Sequence, residues 1–232
     1  LRRTFLDRRY DVDVERLRLV TEAYQANEKA TTKIRCARAF ENILLNVTLD
    51  IYDGDLILGE IAAPAKASPI YPEFSVDWII NEVLHEPFEE HDQFYIKSDE
   101  DRKEIVELCR WWQGKTVDDL INAGLDDDQL KGSEVGKKIF QTNLYHYAGV
   151  GHLVMDYEKL MKNGFDGFIR EAEAKLAALS KADPDYADKR DFYKAMIISH
   201  EAAKKYIARY AELADQRAAA ETDPARKQEL ET

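Results

Sequence analysis

From Asp183-Pro184 onward the chain places Phe192, Met196, Ser199, Ala203, Tyr206 and Tyr210 at helical spacing. Apolar residues recurring every three to four positions mark one buried stripe along a helix. A long helix is stable only when such a stripe is covered, so this segment demands helical partners. Two precede it. Tyr157 to Lys162 reads as a helix stopped at Asn163-Gly164, and Phe168 to Leu179 is amphipathic, with Ala172, Leu176 and Leu179 on one face. Thr222-Asp223-Pro224 starts another helix, a cap residue followed by Pro in the first turn. The part after Gly164 is therefore expected to be a set of antiparallel helices.

Upstream the pattern is more broken. A helix is expected from Val12 to Tyr24, capped by Asp11 or Asp13, with Val14, Leu17, Val20 and Tyr24 on one face. A second starts at Thr31 or Thr32 and presents Ile34, Ala37, Phe40, Leu44 and Val47. Asp53-Gly54 then separates residues 49–52 from 56–61, the turn signal of a short β-hairpin. Pro64, Pro69 and Pro72 make the next stretch extended and irregular. Ser75 and Ser98 are read as caps of two further helices, the second ending at Gly114. Thr116 with Asp119 resembles a capping box, and an acidic loop is expected near Asp126–Asp128. The fold class is mainly α with a short β-hairpin.

Composition narrows the function. A net charge of −12, from 33 basic and 45 acidic residues, argues against nucleic acid as a partner. No apolar run approaches a membrane span, and no signal-peptide pattern follows the basic opening Leu1-Arg2-Arg3. Two cysteines, Cys36 and Cys109, sit in helical patterns and build neither a disulfide framework nor a Cys-rich metal site. A reducing, cytoplasmic setting is expected. Leu1 is not a Met, and the helix opened at Pro224 reaches Thr232 without a stop signal, so the chain reads as a fragment.

Chemistry concentrates in Tyr145-His146-Tyr147-Ala148-Gly149-Val150-Gly151-His152, followed by Asp156-Tyr157. Two glycines open backbone conformations closed to other residues, and a loop on a helical scaffold is where sites sit. Gly149-x-Gly151 is no dinucleotide fingerprint, because Val154 stands where the third glycine belongs. His152, between Gly151 and the apolar Leu153-Val154-Met155, is placed to hydrogen-bond a substrate hydroxyl or move a proton near neutral pH. The bland alternative is a core histidine bonded to a carbonyl. His146 stays open between the two. His91 reads as part of a solvated acidic loop and His200 as packing or a surface hydrogen bond. Glu82-x-x-His85 has metal-pair spacing, but no second pair accompanies it; a metal held by Glu82, His85 and His146 or His152 is a minor alternative.

The ordered motifs carry a resemblance. Asp13-Val14-Glu15-Arg16 with Val20-Thr21-Glu22-Ala23-Tyr24 comes first, then Tyr52-Asp53-Gly54-Asp55-Leu56-Ile57-Leu58-Gly59. Ile70-Tyr71-Pro72-Glu73-Phe74-Ser75, Trp112-Gln113-Gly114-Lys115-Thr116, Gly149-Val150-Gly151-His152 and Lys162-Asn163-Gly164-Phe165-Asp166-Gly167 follow. Together they resemble the N-terminal region of the glycyl radical enzymes of the pyruvate formate-lyase-like group, nearest the glycerol and diol dehydratase branch. The resemblance covers residues 1–232 as one N-terminal part of a much longer domain.

That resemblance implies the outer helical part of a ten-stranded α/β barrel. It implies an anaerobic lyase in which a radical stored on a C-terminal glycine passes to a cysteine in a mid-barrel loop. A partner activase using S-adenosylmethionine and an iron–sulfur cluster would install the radical, and a homodimer is possible. Neither radical motif is in this sequence, so this chain alone is expected to be inactive, to contribute no catalytic residue and to bind no cofactor or metal. His152 matches the dehydratase histidine that bonds the small-molecule substrate's hydroxyl. Leu144, Ala148 and Tyr145 would line the pocket. Leu144 and Ala148 replace polar groups of the glycerol-type members, so a small polyol loses partners and an analogue with an apolar body gains fit. The sulfonate-cleaving branch has a longer basic residue at Ala148 and an amide at His152, a pattern this chain lacks. The rival reading is a non-catalytic helical partner or regulatory module that kept the scaffold.

Overall fold

The 35-residue helix that the C-terminal spacing demands is present, and three others lie along it. The computed structural model describes residues 6, 10–55, 57–60, 62–64, 67–85, 95–129, 131–132 and 155–232. In chain order the elements are β1 (Asp11–Asp13), α1 (Glu15–Ala26), α2 (Thr32–Asn46), β2 (Ala67–Pro69) and α3 (Asp77–His85). They continue as α4 (Asp99–Trp112), α5 (Val117–Ala123), α6 (Tyr157–Ala178), α7 (Tyr186–Ala220) and α8 (Pro224–Leu230). Two compact units emerge: Leu1–Asp7 with Leu19–Ala65 and Met155–Thr232, and Arg8–Arg18 with Lys66–Val154.

In the first unit α2, α6 and α8 pack on α7. Small residues let the helices approach: Ala37 and Ala39 on α2, Ala172 on α6, Ala202 and Ala218 on α7 are all buried. The stop expected at Asn163-Gly164 is a break inside α6, where Gly164 takes φ 59° and ψ −178°. That left-handed backbone suits glycine. The helix resumes at once rather than at Phe168. Gly167 is required as well, since a Cβ there would lie 2.4 Å from the Asn163 Cβ. At the other end of the unit, Asp223 caps α8 by accepting from the Ala225 N–H at 3.1 Å.

The hairpin expected around Asp53-Gly54 does not form among the described residues. The turn itself is present: the Asp55 N–H donates to the Tyr52 carbonyl at 3.2 Å, and Gly54 has φ 87°. The flanking backbone groups, however, are taken by side chains. Asp55 Oδ2 accepts from the Tyr52 N–H at 2.8 Å, Arg217 donates to the Ile51 carbonyl, and Arg226 Nη2 donates to the Tyr52 carbonyl at 3.2 Å. The Glu60 N–H donates to Tyr210 Oη, and the Tyr206 hydroxyl donates to the Glu60 carbonyl, each at 3.2 Å. A ladder needs these same groups, and they are already satisfied.

The strands lie in the second unit. β1 and β2 pair in parallel, with Asp11 opposite Ala67, Val12 opposite Ser68 and Asp13 opposite Pro69. Tyr95 extends the ladder: the Val12 N–H donates to its carbonyl at 2.9 Å, and its N–H donates to the Tyr10 carbonyl at 2.7 Å. Val12 is therefore strand, and the first helix begins at Glu15 rather than at Val12. The expected caps of α4 and α5 are both made. Ser98 Oγ accepts from the Asp101 N–H at 3.0 Å. Thr116 and Asp119 exchange bonds of 3.1 and 3.0 Å in a reciprocal box. Packing between α3 and α4 buries Ile79, Ile80 and Val83 with Ile105, Val106, Cys109 and Trp112. No helix of the described residues is long and apolar enough to cross a membrane.

Candidate functional site

Leu144, Tyr145, Ala148 and His152, together with His146 and His91, lie outside the described residues. What the structure describes is the chain downstream of them and the chain upstream, each by itself. Downstream, Asp156 caps α6: its Oδ1 accepts from the Lys159 N–H at 3.0 Å, and its carbonyl accepts from the Leu160 N–H at 3.1 Å. Upstream, residues expected to form an acidic loop are helical at 127–129 and 131–132. Asp126 and Gln129 start that turn by exchanging bonds of 2.8 and 3.0 Å. The Asp-x-x-Gln signal was available in the sequence and was masked by the acidic run.

The other candidates fall into packing roles. His200 Nδ1 lies 2.7 Å from the Met196 carbonyl, and the ring stacks on Phe168 with centroids 5.1 Å apart. That is the packing histidine expected. Glu82 is exposed on α3, and His85 is that helix's last residue. Among the described residues no three His, Cys, Asp or Glu side chains gather as a metal site requires. Cys109 is fully buried, and burial pushes its thiol up to about 12, which keeps it protonated and inert. Cys36 lies on the exposed face of α2, its sulfur 3.3 Å from the Tyr24 hydroxyl. Neither stands in a loop facing a cavity.

Two further polar clusters were not legible beforehand. Arg16 donates Nη1 to the Ile70 carbonyl at 3.0 Å and both Nη groups to Glu73, with its guanidinium 3.7 Å from the Tyr71 ring centroid. The Glu73 and Phe74 carbonyls accept from the Val117 and Asp118 N–H groups at 3.0 Å, so this arginine steadies the turn on which α5 begins. The second cluster is the Tyr206–Tyr210 pair on Glu60. Burial first, and then Tyr210, pushes the Tyr206 hydroxyl well above its ordinary range, so it serves as a donor and not as a base. These tyrosines border a groove of about 1070 Å³ whose other walls are Ile51, Leu58, Arg226 and Leu230. Asp55, Asp215 and Glu229 also line it, and among the described residues no histidine or cysteine does. Both clusters thus brace the scaffold of the described residues.

Comparison with known proteins gives that scaffold a setting. The sequence profile of the pyruvate formate lyase-like family matches residues 2–232. The (2S)-3-sulfopropanediol dehydratase of Klebsiella oxytoca is 73% identical over 234 residues, covering 100% of this chain and 28% of that protein. The isethionate sulfite-lyase of Oleidesulfovibrio alaskensis is 32% identical, covering 99% of this chain and 28% of that protein. Among solved structures, the glycerol-bound B12-independent glycerol dehydratase from Clostridium butyricum superposes with a TM-score of 0.86 at 33% identity. It covers 98% of this chain and 28% of that one. The structure describing 1,2-propanediol dehydration in Roseburia inulinivorans gives 0.89 at 32% identity, covering 97% and 28%. The chain therefore spans little more than a quarter of the length of these relatives.

Proposed function

This chain belongs to the pyruvate formate lyase-like family, and we propose on that premise that it is part of a glycyl radical dehydratase. Its substrate would be a short hydroxylated molecule that also carries a sulfonate. One observation carries this reading: 73% identity, end to end, with a sulfopropanediol dehydratase, against 32% with an isethionate sulfite-lyase. The bond broken is then carbon–oxygen, with water leaving, and not carbon–sulfur, with sulfite leaving.

The family's glycyl radical and its cysteine partner would supply hydrogen abstraction from segments outside residues 1–232. The residues of this chain would bind and orient. His152 would hold the departing hydroxyl and supply a proton to it, while Tyr145, Leu144 and Ala148 line the wall. Leu144 and Ala148 remove polar partners that a third hydroxyl would need, which supports a diol over glycerol. The helices described here would form part of the outer shell of a ten-stranded barrel. The activase, the homodimer, the anaerobic habit and the cytoplasmic setting belong to the same proposal.

The test is turnover by the full-length, activated protein on sulfopropanediol, glycerol, 1,2-propanediol and isethionate. Sulfopropanediol should give an aldehyde with the sulfonate retained, and glycerol should be a poor substrate. Sulfite release would overturn the assignment. His152→Ala should lower kcat on the order of 10²-fold, the scale of a lost general acid. Unchanged kinetics would remove His152 from the site.

A further inference from the structure

The groove beside Tyr206 and Tyr210 is built wholly within the first unit. Its floor is α7 from Tyr206 to Asp215, one wall carries Ile51 and Leu58, and the other is α8. At about 1070 Å³ it is as large as a binding cleft, and it leaves apolar surface uncovered: Ile207 is 55% and Leu58 42% exposed. Ala211 and Ala214 keep the floor low, so a further helix can approach closely.

The wall formed by α8 is itself incomplete. None of its seven residues is buried, and a helix of that length is not stable without cover. One end is held: Asp223 caps it, and Arg226 donates to the Tyr52 carbonyl and pairs with Glu229 at 2.9 Å. At the other end Thr232 Oγ1 donates to the Gln228 carbonyl at 2.8 Å. Leu230 and Thr232 both line the groove there, so polypeptide continuing from Thr232 begins at its edge.

Charge narrows what fits. Asp55, Asp215, Glu229 and Glu231 line the groove against one cation, Arg226, which Glu229 and Asp53 already engage. Among the described residues Asp55 and Asp215 have no ion pair. An occupant with apolar residues on one face and Lys or Arg beside them satisfies both the surface and the rim. A segment tethered at the edge acts at millimolar effective concentration, which a free partner does not reach. This chain matches 28% of the Klebsiella oxytoca relative, and a protein of that length has such a segment to supply.

We propose that the groove seats the segment that directly follows Thr232 in the full-length protein, a basic amphipathic helix lying against Ile207 and Leu58. This rests on reading residues 1–232 as the N-terminal part of that protein, and on neither the substrate nor His152.

The experiment uses the full-length protein without activation, so an error in the assigned substrate does not touch it. Leu58→Cys is alkylated with iodoacetamide, both native and unfolded in urea, and its own peptide is followed by mass spectrometry. Native alkylation should be at least about 100-fold slower than unfolded, because the thiol reacts only when the segment lifts. Adding Asp215→Lys should raise the native rate about fivefold, and Asp215→Glu should leave it unchanged. A benzoylphenylalanine placed at Ile207 should cross-link, at monomer mass on a denaturing gel, to a Lys- or Arg-bearing peptide within roughly 20 residues after Thr232. A native rate within about tenfold of the unfolded one means an open groove; it overturns the proposal and leaves the N-terminal reading standing. A cross-link of doubled mass gives the groove to a second copy, and one into residues 1–232 or far beyond Thr232 gives it to another segment; each overturns the proposal. An unchanged rate in Asp215→Lys overturns the basic character of the occupant. A full-length protein that does not continue past Thr232 removes the proposal and the N-terminal reading together.

Discussion

The two units are held by different kinds of contact. Around α4 the fully buried side chains are mainly apolar, with Trp112, Ile105, Val76 and Leu17 among the largest, and the helices carry their own caps. Around α7 the described residues of the stretch 47–64 are held by polar side chains that reach their backbone. Arg209 donates to the Leu44 and Val47 carbonyls at 2.6 and 2.7 Å, Arg217 to Ile51, and Tyr206 and Tyr210 clasp Glu60. An apolar core depends on volume and tolerates repacking, whereas a clasp of this kind depends on a donor of one shape at one position. All three tryptophans, Trp78, Trp111 and Trp112, belong to the α4 unit. Fluorescence therefore reports one unit, while circular dichroism at 222 nm is weighted to the 22 and 35 residues of α6 and α7.

The largest expected effect breaks the apolar unit. Trp112 is 1% exposed, and its ring meets Trp111 edge-on at 5.2 Å. Trp112→Ala should cost about 3–5 kcal/mol, because a large cavity opens in a core that relaxes only in part. In urea the midpoint followed by the remaining fluorescence should fall well below the one followed at 222 nm. Equal shifts of both signals would show the two units unfolding as one and would erase the distinction drawn here.

The next effect breaks the clasp. Arg209→Met keeps the aliphatic stem and removes two donors to carbonyls at the end of α2. Bonds from a charged donor support a loss of about 2–3 kcal/mol, read at 222 nm with the fluorescence midpoint nearly unmoved. Arg209→Lys should recover only part of it, since one ammonium cannot fork to both carbonyls in the same geometry. Full recovery by Lys would mean that charge alone, and not the fork, holds this end.

This contrast also explains what the sequence revealed. Helices α4 and α5 were legible because their signals are local: Ser98 and Asp101, Thr116 and Asp119, Gly114. So were the packing role of His200 and the break at Gly164. The hairpin at Asp53-Gly54 was misread because its turn is local and correct while its strand edges are claimed by Arg217, Arg226, Tyr206 and Tyr210, some 150 residues or more away. Val12 was misread as helix because its partner, Tyr95, is also far along the chain. At the site the position is reversed. His152, Leu144, Tyr145 and Ala148 came from glycine placement and resemblance, and they lie outside the described residues. The Lys159–Glu171 pair spans twelve positions across a break, a spacing that no helical rule pairs.

A smaller effect sharpens the local side of the comparison. Thr116 is 2% exposed, and its hydroxyl completes the box with Asp119. Thr116→Ala should cost about 1 kcal/mol, and Thr116→Ser should restore most of it, because Ser serves equally as a cap. The change belongs to the fluorescence signal. A loss seen instead at 222 nm would place the box in the other cooperative unit.

The smallest expected effect is the most specific to pH. The Glu171 carboxyl is held down to about 2, from an ordinary 4.5, chiefly by the Lys159 hydrogen bond and then by Lys175. A carboxylate whose folded pKa is depressed contributes stability that is complete above the ordinary value and is lost as pH falls through the folded one. The window runs from about pH 4.5 down to about pH 2. Because the pair is exposed to solvent, its contribution is small and screened by salt. Glu171→Gln should therefore lower the 222 nm Tm slightly at pH 7 in low salt, and the gap should narrow as pH falls through that window. Molar salt should abolish it at pH 7. A gap that persists unchanged at low pH would mean that Glu171 acts by packing rather than by charge.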